Sequence, residues 1–355
     1  MVYTIIVAAI VFLKQENLTM SMNMKTWVAD TIANPCKKAL PILSYPAIQL
    51  MGISVRKMIS NSDSQAKAMA LLAERFDTAA SVSLMDLSLE AEAFGAQVRQ
   101  FDNEVPTIIG EFLTDESSIE SLSVPKVGAG RTGLALAAVA NAVTLIQDRP
   151  VFAGVVGPFT LVGRLMGVSE AMMSCYDDPE LLQSLLEKCT TFLTDYIQAF
   201  RATGANGVLM AEPLAGVLSP DMAEEFSATA IRRIIGATRT DEFAFIYHNC
   251  GNAIKRQAES IATLGADGYH FGNAVQMSEM LPLMPEDALV MGNVDASGLF
   301  RNGTPETIRT DTLRVLCECG GHKNFVISSG CDIPPDAPMT NINAFFDAVA
   351  EYYKR

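Results

Sequence analysis

The chain has 355 residues, 49% of them hydrophobic, which is ample for a large core in one or two domains. Its formal net charge is −14, from 40 acidic and 26 basic residues that are scattered rather than blocked. That balance excludes the basic footprint of a nucleic-acid binder and disfavours an anionic membrane surface, so neither nucleic acid nor membrane is an expected partner. The seven cysteines, at 36, 175, 189, 250, 317, 319 and 331, are odd in number, in a chain too long to need disulfide staples. A reducing, cytoplasmic location is therefore expected.

Residues 4–13 (TIIVAAIVFL) form an apolar run of ten. A spanning helix needs about 20 residues, and no Lys or Arg precedes this run as in an export signal. Met20, Met22 and Met24 follow it closely. The working protein is expected to start near Met24, with residues 1–24 a non-native or disordered extension and 25–355 a single domain. A genuine export signal is the alternative.

Eight short apolar runs then read as strands: 40–45 (LPILSY), 82–87 (VSLMDL), 151–156 (VFAGVV), 207–211 (GVLMA), 243–248 (FAFIYH), 267–271 (DGYHF), 289–293 and 325–328 (FVIS). Their nearly continuous apolar character predicts burial on both faces, as in a parallel sheet. Amphipathic spacing predicts helices over 63–79 and 179–203. Ser219-Pro220 opens a helix to about 237, and Thr304-Pro305 opens another that stops at Gly320-Gly321. A last helix covers about 340–353. Residues 96–114 break the alternation and read as a small β-hairpin excursion around Asp102-Asn103, after the second strand. Eight strands alternating with helices favour an α/β (β/α)8 TIM barrel over an open doubly wound sheet.

His248-Asn249-Cys250 ends the fifth strand. Residues two apart in extended chain point to the same side, and imidazole and thiolate are usual zinc ligands. Cys331 lies just beyond the eighth strand, after Gly330, which is expected to permit an unusual backbone angle. In a barrel both strand ends open at one face, where barrel enzymes do chemistry. So His248, Cys250 and Cys331 can share one ion. The alternative is inert buried thiols beside a satisfied histidine. Glu212 ends the fourth strand and can occupy an exchangeable fourth position as a catalytic group, or merely cap the next loop.

Cys317, Cys319 and His322 form a rival cluster. Positions i and i+2 on a helix point about 200° apart, which demotes it. Gly128-Ala-Gly-Arg-Thr-Gly133 matches a dinucleotide fingerprint, but Pro125 and polar residues stand where its strand should be. It reads as a loop opening a helix near 133–147. Asp86 and His270, each at a strand end, either line the pocket or are hydrogen-bonded barrel residues.

Five segments together resemble the uroporphyrinogen decarboxylase superfamily. They are Val156-Gly-Pro-Phe-Thr-Leu161; Ala211-Glu-Pro-Leu-Ala-Gly216 with Leu218-Ser-Pro220; Tyr247-His-Asn-Cys-Gly251; Gly292-Asn-Val-Asp295; and Ser329-Gly-Cys-Asp-Ile-Pro334. They keep their order over about residues 40–350. The decarboxylases of that superfamily carry an arginine-rich motif for their substrate's carboxylates. Here that region reads Leu43-Ser-Tyr-Pro-Ala-Ile-Gln-Leu-Met-Gly52, with no arginine before Arg56.

The sequence is more similar to the corrinoid-dependent methyltransferase branch, the methylcobamide:coenzyme M methyltransferases. That resemblance implies zinc on His248, Cys250 and Cys331, and methylcobalamin or another methylated corrinoid as methyl donor. It also implies a corrinoid carrier protein as partner and a small thiol such as coenzyme M as acceptor, entering at the position Glu212 would hold. Tyr45, Asp86, Arg164, His270 and Asn293 are the expected substrate-binding residues, with Arg164 the cationic one. A tetrapyrrole decarboxylase needing no metal, or a non-catalytic corrinoid- or metal-binding barrel, are the alternatives.

Overall fold

Seven parallel strands, each nearly or wholly buried, form one curled sheet in the computed structural model, which describes residues 22–354 except 111 and 114. In sheet order they are β1 (Ser81–Val82), β4 (Val151–Val156), β5 (Gly207–Ala211), β6 (Ala244–Asn249), β7 (Gly268–Phe271), β8 (Leu289–Val294) and β9 (Phe325–Ser329). Every neighbouring pair is parallel. Connections between parallel strands must cross over, and helices do so here. The helix Pro179–Ala202 shows why. Asp178 accepts a hydrogen bond from the Leu181 N–H, Pro179 takes the first helical position, and Leu182, Leu185, Leu186, Cys189, Phe192, Leu193, Tyr196 and Ile197 form one buried stripe.

Strand parity divides the core in two. One set of alternate residues, Phe152, Leu209, Ala211, Ala244, Ile246, Leu289, Met291 and Val326, packs with Leu40, Ile42 and Val82 as an inner cluster. The opposite set, including Val151, Val208, Phe245, Tyr269, Val290 and Phe325, packs under the helices. β7 adds no apolar side chain to the inner cluster among the described residues. Its inner positions are Gly268 and His270. By the same parity His248 on β6 and Ser328 on β9 face inward.

Three expected elements differ. Residues 40–45 form no strand. Pro41 has no N–H to give a ladder, and the Ile42 N–H goes to Ser329 Oγ at 3.0 Å. The segment still spans the gap between the two sheet edges. The Leu40 N–H donates to the Ile327 carbonyl on β9, and the Ala79 N–H, just before β1, donates to the Ala39 carbonyl. The expected strand 82–87 stops at Val82, and Asp86 instead accepts hydrogen bonds from the Ser88 N–H and hydroxyl. Beyond β1 the chain makes an antiparallel pair of only two residues a side, β2 (Val98–Arg99) with β3 (Thr107–Ile108). The Asp102 segment between them is drawn to another part of the fold: its carbonyl accepts from the Val55 N–H and its carboxylate pairs with Arg56.

The helices at 62–75, 132–145, 305–319 and 339–353 lie close to expectation. The one expected from Pro220 to 237 is Pro220–Ala223, a π-helical turn Glu224–Ala228, then Thr229–Thr238. The expected N-terminal extension lies almost wholly outside the described residues. Met24, at its end, is buried as the first residue of the helix Met24–Ala33. Among the described residues no helix is long and apolar enough to cross a membrane.

Candidate metal centre

β6 delivers His248 at the C-terminal end of the sheet, and the next turn is built to place Cys250. The buried Asn249 side chain donates to the Glu212 carbonyl and to the Tyr247 hydroxyl, both at 2.8 Å, and accepts from the Gly251 N–H at 2.9 Å. A Cβ on Gly251 would stand 2.5 Å from Gly216 Cα, so the two loops close only with glycine there. Cys331 arrives from the end of β9. The glycine before it, Gly330, is not in a left-handed conformation. It is needed for space, because a Cβ there would lie 2.9 Å from the Asn273 backbone nitrogen.

One ligand atom from each of His248, Cys250 and Cys331 lies within 4.8 Å of the other two. Cys331 Sγ is 3.8 Å from His248 Nε2. Cys250 and Cys331 share a hydrogen bond: it lowers the Cys250 thiol to about 7, and with burial it drives the Cys331 thiol up. The pair therefore carries one negative charge readily, as a soft-metal site requires. Behind His248, its Nδ1 meets His270 Nδ1 at 2.8 Å and the His270 carbonyl at 3.3 Å. His270 Nε2 meets Ser328 Oγ at 2.7 Å. Burial and the neighbouring His248 hold the His270 imidazole well below the ordinary histidine range, so it is neutral.

Glu212 is not part of this group. Its carboxylate turns to the N-terminus of the helix Pro158–Met166, where Oε1 accepts from the Phe159 N–H at 2.9 Å and from the Ser227 hydroxyl at 3.0 Å. Oε2 accepts from the Thr160 N–H at 3.2 Å. A helix N-terminus with free N–H groups is a natural seat for a carboxylate. A Cβ on Gly157 would strike this carboxylate at 1.8 Å. Burial raises the Glu212 carboxyl to about 7, against the pull of these donors.

The other expected residues divide. Tyr45 is fully buried, its hydroxyl has no hydrogen-bond partner among the described residues, and Asp86, Asp332 and Arg131 act on it. Asp86 is held by Arg131 at 2.5 Å, and Arg131 also binds Glu92 at 2.6 Å. Arg164 is half-buried and feels the Asp86 charge. Asn293 donates to the Gly272 and Val275 carbonyls at 3.0 and 2.8 Å, so it fixes the loop after β7.

Arg131, Glu90, Ser328 and Asp332 are the polar residues that sequence reasoning passed over. Arg131 sits in the glycine loop at 128–133, where Gly128 and Gly130 take left-handed conformations and the helix Thr132–Leu145 follows. Ser328 carried a signal, a hydroxyl at an inward position of an apolar strand. The rival cysteines carry none of this: Cys317 is exposed and Cys319 is buried on the helix Pro305–Cys319.

The family model described as uroporphyrinogen decarboxylase (URO-D) matches residues 34–352. The chain belongs to the URO-D family. Its relatives carry different names. It is 24% identical over 299 residues to a methylcobamide:CoM methyltransferase of Methanosarcina acetivorans, covering 81% of this chain and 85% of that one. It is 29% identical over 289 residues to a uroporphyrinogen decarboxylase of Neisseria gonorrhoeae, covering 78% and 80%. A solved methyltransferase from Methanosarcina mazei has the same fold, with a TM-score of 0.81 at 22% identity over 94% of this chain and 99% of that one.

Proposed function

We propose that this protein is a methyltransferase that moves a methyl group from a methylated corrinoid to a small thiol bound at the His248–Cys250–Cys331 centre. The observation that carries this reading is the convergence of one imidazole nitrogen and two sulfurs within 4.8 Å of one another. That donor set fits zinc, and three protein ligands leave one position for an exchangeable partner. Relatives named methylcobamide:CoM methyltransferase support the same reading. The lack of arginine between Leu43 and Gly52 weighs against a substrate rich in carboxylates.

Zinc, when bound, supplies the Lewis acidity that keeps an incoming thiol deprotonated at neutral pH. The chain's own residues set the conditions. Cys250 and Cys331 bring anionic sulfur that leaves electron density on the acceptor. Asn249 and Gly251 hold Cys250 at the end of β6. Asp332 beside Cys331, and Tyr45, which feels the Asp332 charge, each hold a polar atom without a hydrogen-bond partner among the described residues, and these suit the acceptor's polar end. In the transfer the thiolate's lone pair forms the sulfur–carbon bond, the cobalt–carbon bond breaks with its electron pair left on cobalt, and the thiol proton has gone to solvent. The corrinoid is presented by a carrier protein, and coenzyme M is the first thiol to test.

The test is metal analysis of purified protein, with transfer assays from methylcobalamin to a panel of thiols and uroporphyrinogen decarboxylation run beside them. The expected result is about one zinc per chain and a methylated thiol. Decarboxylation by a metal-free protein would overturn the proposal.

A further inference from the structure

We infer that His270 and Ser328 form a buried relay that fixes the proton of His248 on Nδ1 and so leaves His248 Nε2 bare toward Cys331. His270 is then a positioning residue rather than a substrate-binding one. This inference rests on the zinc-centre reading above.

The Leu40 carbonyl can only accept, and Ser328 Oγ lies 2.7 Å from it. The single hydroxyl hydrogen of Ser328 goes there. Ser328 Oγ must then accept from His270 Nε2, 2.7 Å away, so His270 carries its proton on Nε2. Its other ring nitrogen, Nδ1, lies 2.8 Å from His248 Nδ1, a separation that holds one hydrogen and not two. His248 Nδ1 also faces the His270 carbonyl at 3.3 Å, which accepts only. The one hydrogen therefore belongs to His248 Nδ1, which can share it between the two acceptors, and His270 Nδ1 is bare. With its proton on Nδ1, His248 presents the lone pair of Nε2 to Cys331 Sγ at 3.8 Å.

The reverse assignment fails at three places. It leaves the Leu40 carbonyl without its donor, sets a bare Nδ1 against the His270 carbonyl, and puts a proton on the nitrogen that a metal needs. The fold supplies the rigidity. His248 and His270 are register partners on β6 and β7, their rings cross at 77°, and His248, His270 and Ser328 are all at most 2% exposed. Ser328 is anchored at the far side by the segment that bridges the sheet edges. An outer partner of this kind fixes the ring and tautomer of a ligating histidine.

The chain has only three histidines, at 248, 270 and 322, so selective 15N-histidine labelling and long-range 1H–15N correlation spectra can read each tautomer in metal-free protein. The expected spectrum shows His248 protonated on Nδ1 and His270 on Nε2. Ser328→Ala should release His270 and shift part of His248 to the Nε2-protonated form. In parallel, zinc affinity is measured against a competing chelator. His270→Phe should weaken it about 10–100-fold, the usual effect of removing such a partner. His270→Gln, which restores an acceptor, should recover part of the loss. A wild-type His248 protonated on Nε2, or unchanged zinc affinity in folded His270→Phe, overturns the relay. If His270→Phe does not fold, the wild-type and Ser328→Ala spectra decide. Wild-type protein that takes no zinc sinks the zinc-centre reading, while the spectra still judge the relay.

Discussion

Cys331 Sγ lies 3.8 Å from His248 Nε2, although the two residues are 83 positions apart and reach each other from β9 and β6. Their meeting depends on parallel strands that end at one face. It also makes each residue of the triad separately testable.

On the zinc-centre proposal, removing Cys250 or Cys331 deletes a thiolate ligand, and not merely its support. Cys250→Ala and Cys331→Ala should each weaken zinc binding by more than the roughly 10–100-fold typical of an outer-shell loss. Cys317→Ser, on an exposed position, should leave zinc binding unchanged and stability within about 0.5 kcal/mol. Chelator competition and metal content check both.

Glu212 supports a helix terminus in this structure. Glu212→Ala would leave the Phe159 and Thr160 N–H groups without their acceptor, at a cost of about 1–3 kcal/mol in denaturant unfolding. Zinc affinity should change little. A loss of zinc as large as that of Cys250→Ala would return Glu212 to the metal.

Asp86 and Arg131 form a buried pair, with side chains 2% and 7% exposed. Arg131→Met leaves the Asp86 charge uncompensated and should cost about 3–5 kcal/mol, whereas replacing both partners should cost much less. A double-mutant cycle in urea measures the difference.

Glu90 carries a pH dependence. Its Oε1 accepts from the Val156 N–H at 3.0 Å, while Oε2 has no partner among the described residues. Burial raises its carboxyl from an ordinary 4.5 to about 7. Between those values the folded chain holds a proton that the unfolded chain has lost. The stability from this group is therefore full below pH 4.5 and declines as pH rises through 7, by at most about 3 kcal/mol. Glu90→Gln should flatten that decline in unfolding curves taken from pH 4.5 to 8.

Gly272 tests the geometry without touching a ligand. A Cβ there would stand 2.5 Å from Cys250 Cβ. Gly272→Ala should displace Cys250 and lower zinc affinity, with the far-ultraviolet circular dichroism unchanged.

How much of this was legible depends on what each feature requires. The strands from β4 to β9 showed in the sequence as apolar runs such as VFAGVV, because a strand buried on both faces has no polar alternation to hide it. The convergence of His248, Cys250 and Cys331 was legible for a related reason: His248 and Cys250 share a side in extended chain, and parallel strand ends bring Cys331 to them. The segment 40–45 misled because its composition is strand-like, while Pro41 and the Ser329 hydroxyl deny it a ladder.

By itself, then, the sequence determined the strand periodicity, the helix starts at Pro179, Pro220 and Pro305, and the three residues able to hold one ion. Only the tertiary structure decided where Glu212 points, which acids Arg131 pairs with, and how Leu40, Ser328, His270 and His248 line up behind the site. Strand and helix patterns are local, repeating every two or 3.6 residues. The partner of a buried polar atom is set by whichever distant segment the curled sheet brings within 3 Å, and no local spacing encodes that.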